Sequence, residues 1–205
     1  MGDTMPEQIS PPTTEVEIVS LAITLCGKQQ TVNTIDGGGA LATDGLKLFQ
    51  LLVSAELGSN RWRFAQDFQQ SGVLTTLTPA FGGWTYYYEL PAECLMVQAV
   101  YPNIAYQVFG NKILAKSNQA ITVVFGRTLP VSKWLSPFSM YITFHLATLL
   151  GASVTNSDRM MARLTKGLTT WESRALFADA QNSKTLPFRQ NPYVDVRYQN
   201  RTRGY

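Results

Sequence analysis

A chain of 205 residues can bury one core, or one core with an inserted second unit. Hydrophobic residues make up 45% and charged residues only 15%, too little charge for a monomer that shows its whole surface to water, so surface covered by partners is expected. The net charge of +3 is uneven: residues 184–205 hold five basic residues and one acid, while the remainder holds 12 basic and 13 acidic residues, which excludes a uniformly basic body.

In chain order, residues 1–13 are polar, contain Pro11-Pro12 and predict a flexible arm. Pro6 stands where a myristoylation motif needs Ser or Thr, and no secretory signal is legible, so synthesis inside a cell is expected. Thr14-x-x-Glu17 is a capping box. Behind it Val16, Val19, Ile23 and Cys26 share one helical face, and Gly27 is a suitable stop. Gly37-Gly38-Gly39 lacks a following Lys-Ser/Thr pair, so it predicts a flexible connection rather than a phosphate cradle. A second helix is expected over 40–57, with Leu41, Leu48, Leu52 and Ala55 in line and Phe49 and Val53 beside them.

Arg61-Trp62-Arg63-Phe64-Ala65 alternates charge with bulk and is expected to open a β region. Residues 73–77 are β-rich, and residues 79–83 predict a turn. In residues 84–89, Trp84, Tyr86 and Tyr88 fall on one face of a strand, and Leu90-Pro91 stops it. Pro91 suits the first position of a short turn through Glu93 and Cys94, after which residues 95–100 resume an extended course. Gly110-Asn111 between residues 105–109 and 112–116 predicts a hairpin, and 120–125 a further strand. Several short strands in so few residues predict a small antiparallel sandwich or barrel.

Ser136-Pro137 predicts a helix start, with serine as cap and proline first in the helix. That helix is apolar nearly all round to Leu150, where Gly151 is expected to stop it. No apolar run is read as long enough to span a membrane. Asn156 or Ser157 caps a last helix carrying Met161, Leu164, Leu168, Trp171, Ala175 and Ala178 on one stripe. The fold expected is α+β: a helical bundle from 14–60 and 131–183, a β subdomain inserted over 61–130, and an extended tail over 184–205.

No catalytic motif is legible. There is no Gly-x-Ser-x-Gly elbow, His-Glu-x-x-His or Gly-x-Gly-x-x-Gly, so neither an enzyme nor a bound cofactor is expected. One histidine, His145, and two distant cysteines, Cys26 and Cys94, fit no metal motif and no disulfide framework. His145 lies on the apolar helix and reads as a satisfied core residue. Nothing in the spacing of Asp44, Glu56, Asp67, Glu89 and Glu93 brings these carboxylates together.

The tail interleaves rings with cations: Lys184, Phe188, Arg189, Tyr193, Arg197, Tyr198, Arg201 and Arg203. Such a segment can follow a nucleic-acid backbone, with bases stacked on its rings. It can equally lie in a groove of another protein, the rings as anchors and the arginines facing acids.

The order of elements, with Trp62-Arg63-Phe64-Ala65 and then Trp84-Thr85-Tyr86-Tyr87-Tyr88-Glu89-Leu90-Pro91-Ala92-Glu93-Cys94-Leu95, resembles the tail tubular protein A family, the head-to-tail adaptors of short-tailed bacteriophages. The resemblance covers residues 14–182. It carries Trp62, Phe64, Trp84, Tyr86, Tyr88, Leu90, Pro91 and Glu93 as structural motif positions. The chain departs from the family's Leu-x-x-Leu-Gly-x-x-Pro-Val over 21–32, which here contains no proline. The resemblance implies a virion protein, assembled in the host cytoplasm into a ring of about twelve subunits below the portal. It implies helical bundles side by side around a channel for DNA, a β subdomain toward the tail nozzle, and a C-terminal segment docked on the portal protein. No catalytic step and no membrane are implied.

Overall fold

The computed structural model describes residues 11–27, 39–72, 75–154 and 157–181. The expected tail, most of the expected arm, and Gly37 and Gly38 lie outside the described residues. Four helices and seven strands follow in order: α1 (Glu15–Leu25), α2 (Gly39–Ser59), β1 (Gln66–Ser71), β2 (Thr75–Phe81), β3 (Trp84–Glu89), β4 (Met96–Tyr101), β5 (Tyr106–Phe109), β6 (Lys112–Ala115), β7 (Ile121–Gly126), α3 (Ser136–Val154) and α4 (Asp158–Gln181). The chain is α+β.

The capping box opens α1. The Glu17 amide donates to Thr14 Oγ1 at 3.2 Å, and Glu17 Oε2 accepts from the Thr13 and Thr14 amides at 2.7 and 3.3 Å. Those bonds, the Thr13 amide first, hold the Glu17 carboxyl below its ordinary range. The last arm residues are therefore fixed, and Pro12 is buried. Gly27, at φ +81°, takes the left-handed conformation that ends the helix. Ile18, Val19, Ala22, Ile23 and Cys26 enter the helical core, a wider stripe than the one read from periodicity. In α2 the core residues are Ala42, Leu46, Phe49, Leu52, Val53 and Leu57, whereas Ala55 is exposed.

α3 packs against α1, α2 and α4. It is 19 residues long with a mean hydropathy of 1.2, so the expectation of no span-length apolar run is corrected; half of it is buried inside the fold. Its first residue is Ser136 itself, because Leu135 O accepts the first helical amides, from Phe138 and Ser139, at 2.9 and 3.0 Å. Gly151 does not stop it. A Cβ there would lie 2.9 Å from Met161 Sδ and 3.1 Å from Leu164 Cδ1, so this glycine lets α4 approach inside a continuous helix. Ser157 caps α4, its Oγ accepting from the Met160 amide at 3.4 Å.

The strands form two open antiparallel sheets, ordered β1-β7-β4 and β2-β3-β6-β5, not a barrel. One apolar cluster draws on both, with Val100, Ile121, Val123 and Phe125 from the first and Tyr88, Ile113 and Ala115 from the second. β5 and β6 form the expected hairpin, with Gly110 at φ +60°. The turn expected over 79–83 is shorter. Pro79 lies within β2, an edge strand where a missing N–H is tolerated, and Gly82 and Gly83 make the turn at φ +57° and +80°.

β3 and β4 belong to different sheets, so the proline-started turn between them carries the chain across. The Leu90 amide donates to Asn111 O at 3.0 Å in the second sheet's hairpin turn, Cys94 N closes the turn on Pro91 O at 3.0 Å, and Leu95 N donates to Gly126 O at 2.8 Å beside the first sheet.

Candidate interaction surface

Residues 61–65 do not start a strand. Arg63–Ala65 is a 3-10 turn, and β1 begins at Gln66. Trp62 and Ala65, each 2% exposed, belong to the helical core. The reason is the area of the indole: it finds an aromatic pocket on α3, with its ring centroid 4.8 Å from Phe138 and 6.2 Å from Tyr141. Its N–H donates to Glu56 O at 3.2 Å. Phe64 packs against the same Phe138 at 4.8 Å. Trp134, which leads into α3, closes the cluster 5.0 Å from Phe138, and its N–H donates to Leu129 O at 2.9 Å.

The end of α4 fixes this junction. Asp179 is 6% exposed, and its two oxygens accept from the Arg63 and Phe64 amides at 2.9 and 3.0 Å. Arg127 N donates to Ala65 O at 2.9 Å, so the exit from the β region is bonded to its entry. No pattern announces Asp179: an acid near a helix end reads as solvated until the 3-10 turn is folded over it.

The other motif positions are distributed through the second sheet and the crossing turn. Tyr88 is fully buried, its hydroxyl between the Ser117 and Gln119 carbonyls at 2.6 and 2.7 Å. Burial pushes this phenol above its ordinary range. Tyr86 and Leu90 are half-buried against the same cluster. Trp84, at the start of β3, is half-buried and donates to Gln107 Oε1 at 2.8 Å. Pro91 is half-buried, and Glu93 is exposed and accepts from Arg127 at 3.4 Å. Trp62 and Phe64 thus join the helices, while Trp84, Tyr86 and Tyr88 belong to the second sheet and Leu90, Pro91 and Glu93 to the crossing turn. The tail positions lie outside the described residues.

The fold brings two of the scattered carboxylates together. Asp67 and Glu93 both face Arg127 Nη1, at 2.9 and 3.4 Å. All three side chains are 32% or more exposed, so the group contributes little to stability. Cys26 and Cys94 are free, and burial raises both thiols above their ordinary range. Among the described residues no three His, Cys, Asp or Glu side chains lie close enough to hold a metal ion.

His145 is not enclosed in the core; it is 26% exposed, with Nδ1 3.3 Å from Oε1 of Glu56, which is 12% exposed. The separation is that of an ion pair, while the angle is not that of a hydrogen bond. The imidazole is the largest influence holding the Glu56 carboxyl below its ordinary range; Tyr141 and Asn60 add to it, and burial opposes it. Burial, then the Glu56 charge, pushes the Tyr141 phenol strongly up. A depressed carboxyl stabilises the fold above its unfolded pKa and loses that contribution as pH falls through the folded one. The stability gap between the wild type and Glu56→Gln should therefore narrow as pH falls from about 5 to about 3. Urea unfolding across that range measures it, and a constant gap would remove the assignment.

Large apolar side chains are left in the open on both parts of the fold. Leu51 of α2 is 69% exposed, and Leu176 and Phe177 of α4 are 50% and 66% exposed. On the sheets Phe68, Tyr101 and Phe109 are 72%, 58% and 58% exposed. One depression, lined by Gln69, Gln70, Glu89, Pro91, Cys94 and Asn111, opens beside the crossing turn. No protein-family model matches the chain, and no curated protein matches it.

Proposed function

We propose that this chain is a subunit of a ring-shaped head-to-tail adaptor in the connector of a bacteriophage virion. The observation that carries the reading is the spread of exposed apolar side chains over both helices and sheets in a chain of only 15% charged residues. Such a surface suits a subunit that buries itself against copies and neighbours. The order of elements and the residues of the Trp62 and Trp84 motifs support it through their resemblance to the tail tubular protein A family.

In this reading the four helices are a bundle, the two sheets are a sandwich inserted between its halves, and residues 184–205 form an extended docking segment. About twelve subunits close a ring. The tail residues, with Lys184, Phe188, Arg189, Tyr193, Arg197, Tyr198, Arg201 and Arg203, enter the portal protein, and the sandwich faces the nozzle protein. DNA passes through the lumen without sequence-specific contacts. The protein works by assembly and has no catalytic step and no cofactor; the ordering of a free segment is offset by burial and arginine pairs.

The test is light scattering on the chain mixed with the portal protein encoded by the same genome. The expected result is a complex with one adaptor per portal subunit. Deleting residues 184–205 should leave a folded chain that no longer binds. Absence of any complex, together with tight salt-sensitive DNA binding through the tail, would replace the adaptor with a nucleic-acid-binding protein.

A further inference from the structure

The solvent face of α4 is divided by charge. At about 100° per residue, Arg159, Arg163, Lys166 and Arg174 fall within an arc of about 80°. All four are exposed. The exposed acids of the same helix, Asp158 and Glu172, fall about 80° or more outside one edge of that arc, and the buried Leu164 and Ala175 about 80–100° outside the other. Among the described residues none of Arg159, Arg163 and Lys166 has an ion-pair partner. Arg174 lies 4.7 Å from the centroid of the Trp171 ring. At 1.5 Å per residue the row is about 22 Å long.

Helix stability does not explain this row. Arg159 and Arg163 are four residues apart and Arg163 and Lys166 three, spacings at which like charges repel. Arg159 also lies in the first turn of α4, where the helix dipole disfavours cations. Within the same arc Thr170 adds no charge, its hydroxyl donating back to Lys166 O at 2.8 Å. A linear polyanion relieves both penalties, because its phosphates meet successive cations along the helix and release their counterions.

We propose that this face of α4 contacts the phosphate backbone of nucleic acid, without reading sequence. The inference rests on the adaptor reading insofar as it places α4 toward the channel that DNA crosses. It concerns a different segment from the tail. Contact through phosphate alone carries no sequence information and leaves the duplex free to slide.

The experiment measures binding of the full chain to a labelled random-sequence duplex by fluorescence anisotropy over a range of salt. The variant is Arg159→Gln/Arg163→Gln/Lys166→Gln. Its control is Lys112→Gln/Lys116→Gln/Lys133→Gln, which makes the same change in net charge outside α4. The slope of log affinity against log salt should fall by about 3 in the α4 variant and much less in the control. The single variant Arg163→Gln, which changes one unpartnered side chain, should lower the slope by about 1. Equal slopes in all chains would overturn the proposal and make the row a solvated face or a seat for an acidic protein. Light scattering of the same α4 variant with the portal protein separates the two readings. Normal assembly with an unchanged slope ends the inference and keeps the adaptor. A reduced slope with no assembly by any chain keeps the inference and ends the adaptor.

Discussion

Phe138→Ala is expected to lower the free energy of unfolding by about 3–5 kcal/mol. Phe138 is fully buried and is the ring at which separate segments meet. Its centroid lies 4.8 Å from Trp62, 4.8 Å from Phe64, 5.0 Å from Trp134 and 6.1 Å from Tyr141. Truncation loses the transfer energy of the ring and leaves a cavity between rigid aromatic walls, which cannot easily collapse into it. The loss also reaches the sheets, because Trp62 and Phe64 lie directly before β1. Amide exchange at Phe64 and Arg127 should therefore speed up more than exchange at Ile18 or Val19 in α1. Urea unfolding followed by circular dichroism measures the first effect. A loss under about 1 kcal/mol would show that the cluster repacks and that Phe138 is not its centre.

The second large effect is at Asp179. Its carboxylate accepts from two backbone N–H groups of the 3-10 turn while only 6% exposed. Hydrogen bonds to a charged group stabilise more than neutral ones, and a buried donor left alone costs its desolvation. Asp179→Ala should therefore cost about 2–4 kcal/mol. Asp179→Asn keeps one oxygen acceptor and should cost roughly half as much. The order alanine worse than asparagine is the informative result, since both remove the charge and only one removes the acceptor. If asparagine is as damaging as alanine, charge rather than bonding of the turn stabilises the junction. If neither variant loses stability, α4 does not fasten the β region.

Local chemistry was legible wherever a short stretch contains its own partners. Thr14 and Glu17 are three residues apart and complete each other's bonds, so the start of α1 could be read directly. The hairpin at Gly110-Asn111 follows from a glycine able to take positive φ between two strand-forming runs. The reading of Trp84, Tyr86 and Tyr88 as one face follows from a period of two, and Tyr88 is buried in the β cluster. Gly151 shows the limit of such reasoning. A glycine at the end of an apolar run reads as a stop, yet its reason is the nearness of Met161 and Leu164 on a helix that comes later in the chain. Trp62 was legible as a bulky motif position, but the alternation around it could not show that helices, not strands, would bury it.

The sequence by itself determined the start of α1, the hairpin, the order of the four helices and the α+β class. Each of these rests on neighbours within one or two turns or one strand, where backbone geometry sets which side chains meet. The tertiary structure alone decided that β3 and β4 lie in different sheets, that Trp62 and Ala65 join the helical core, that Asp179 serves a turn more than a hundred positions earlier (Arg63 and Phe64), and that Arg159, Arg163 and Lys166 have no ion-pair partner among the described residues. Those outcomes depend on which distant surfaces bury each other, and burial energy is non-directional: it rewards any arrangement that covers apolar area, and only the assembled fold selects one.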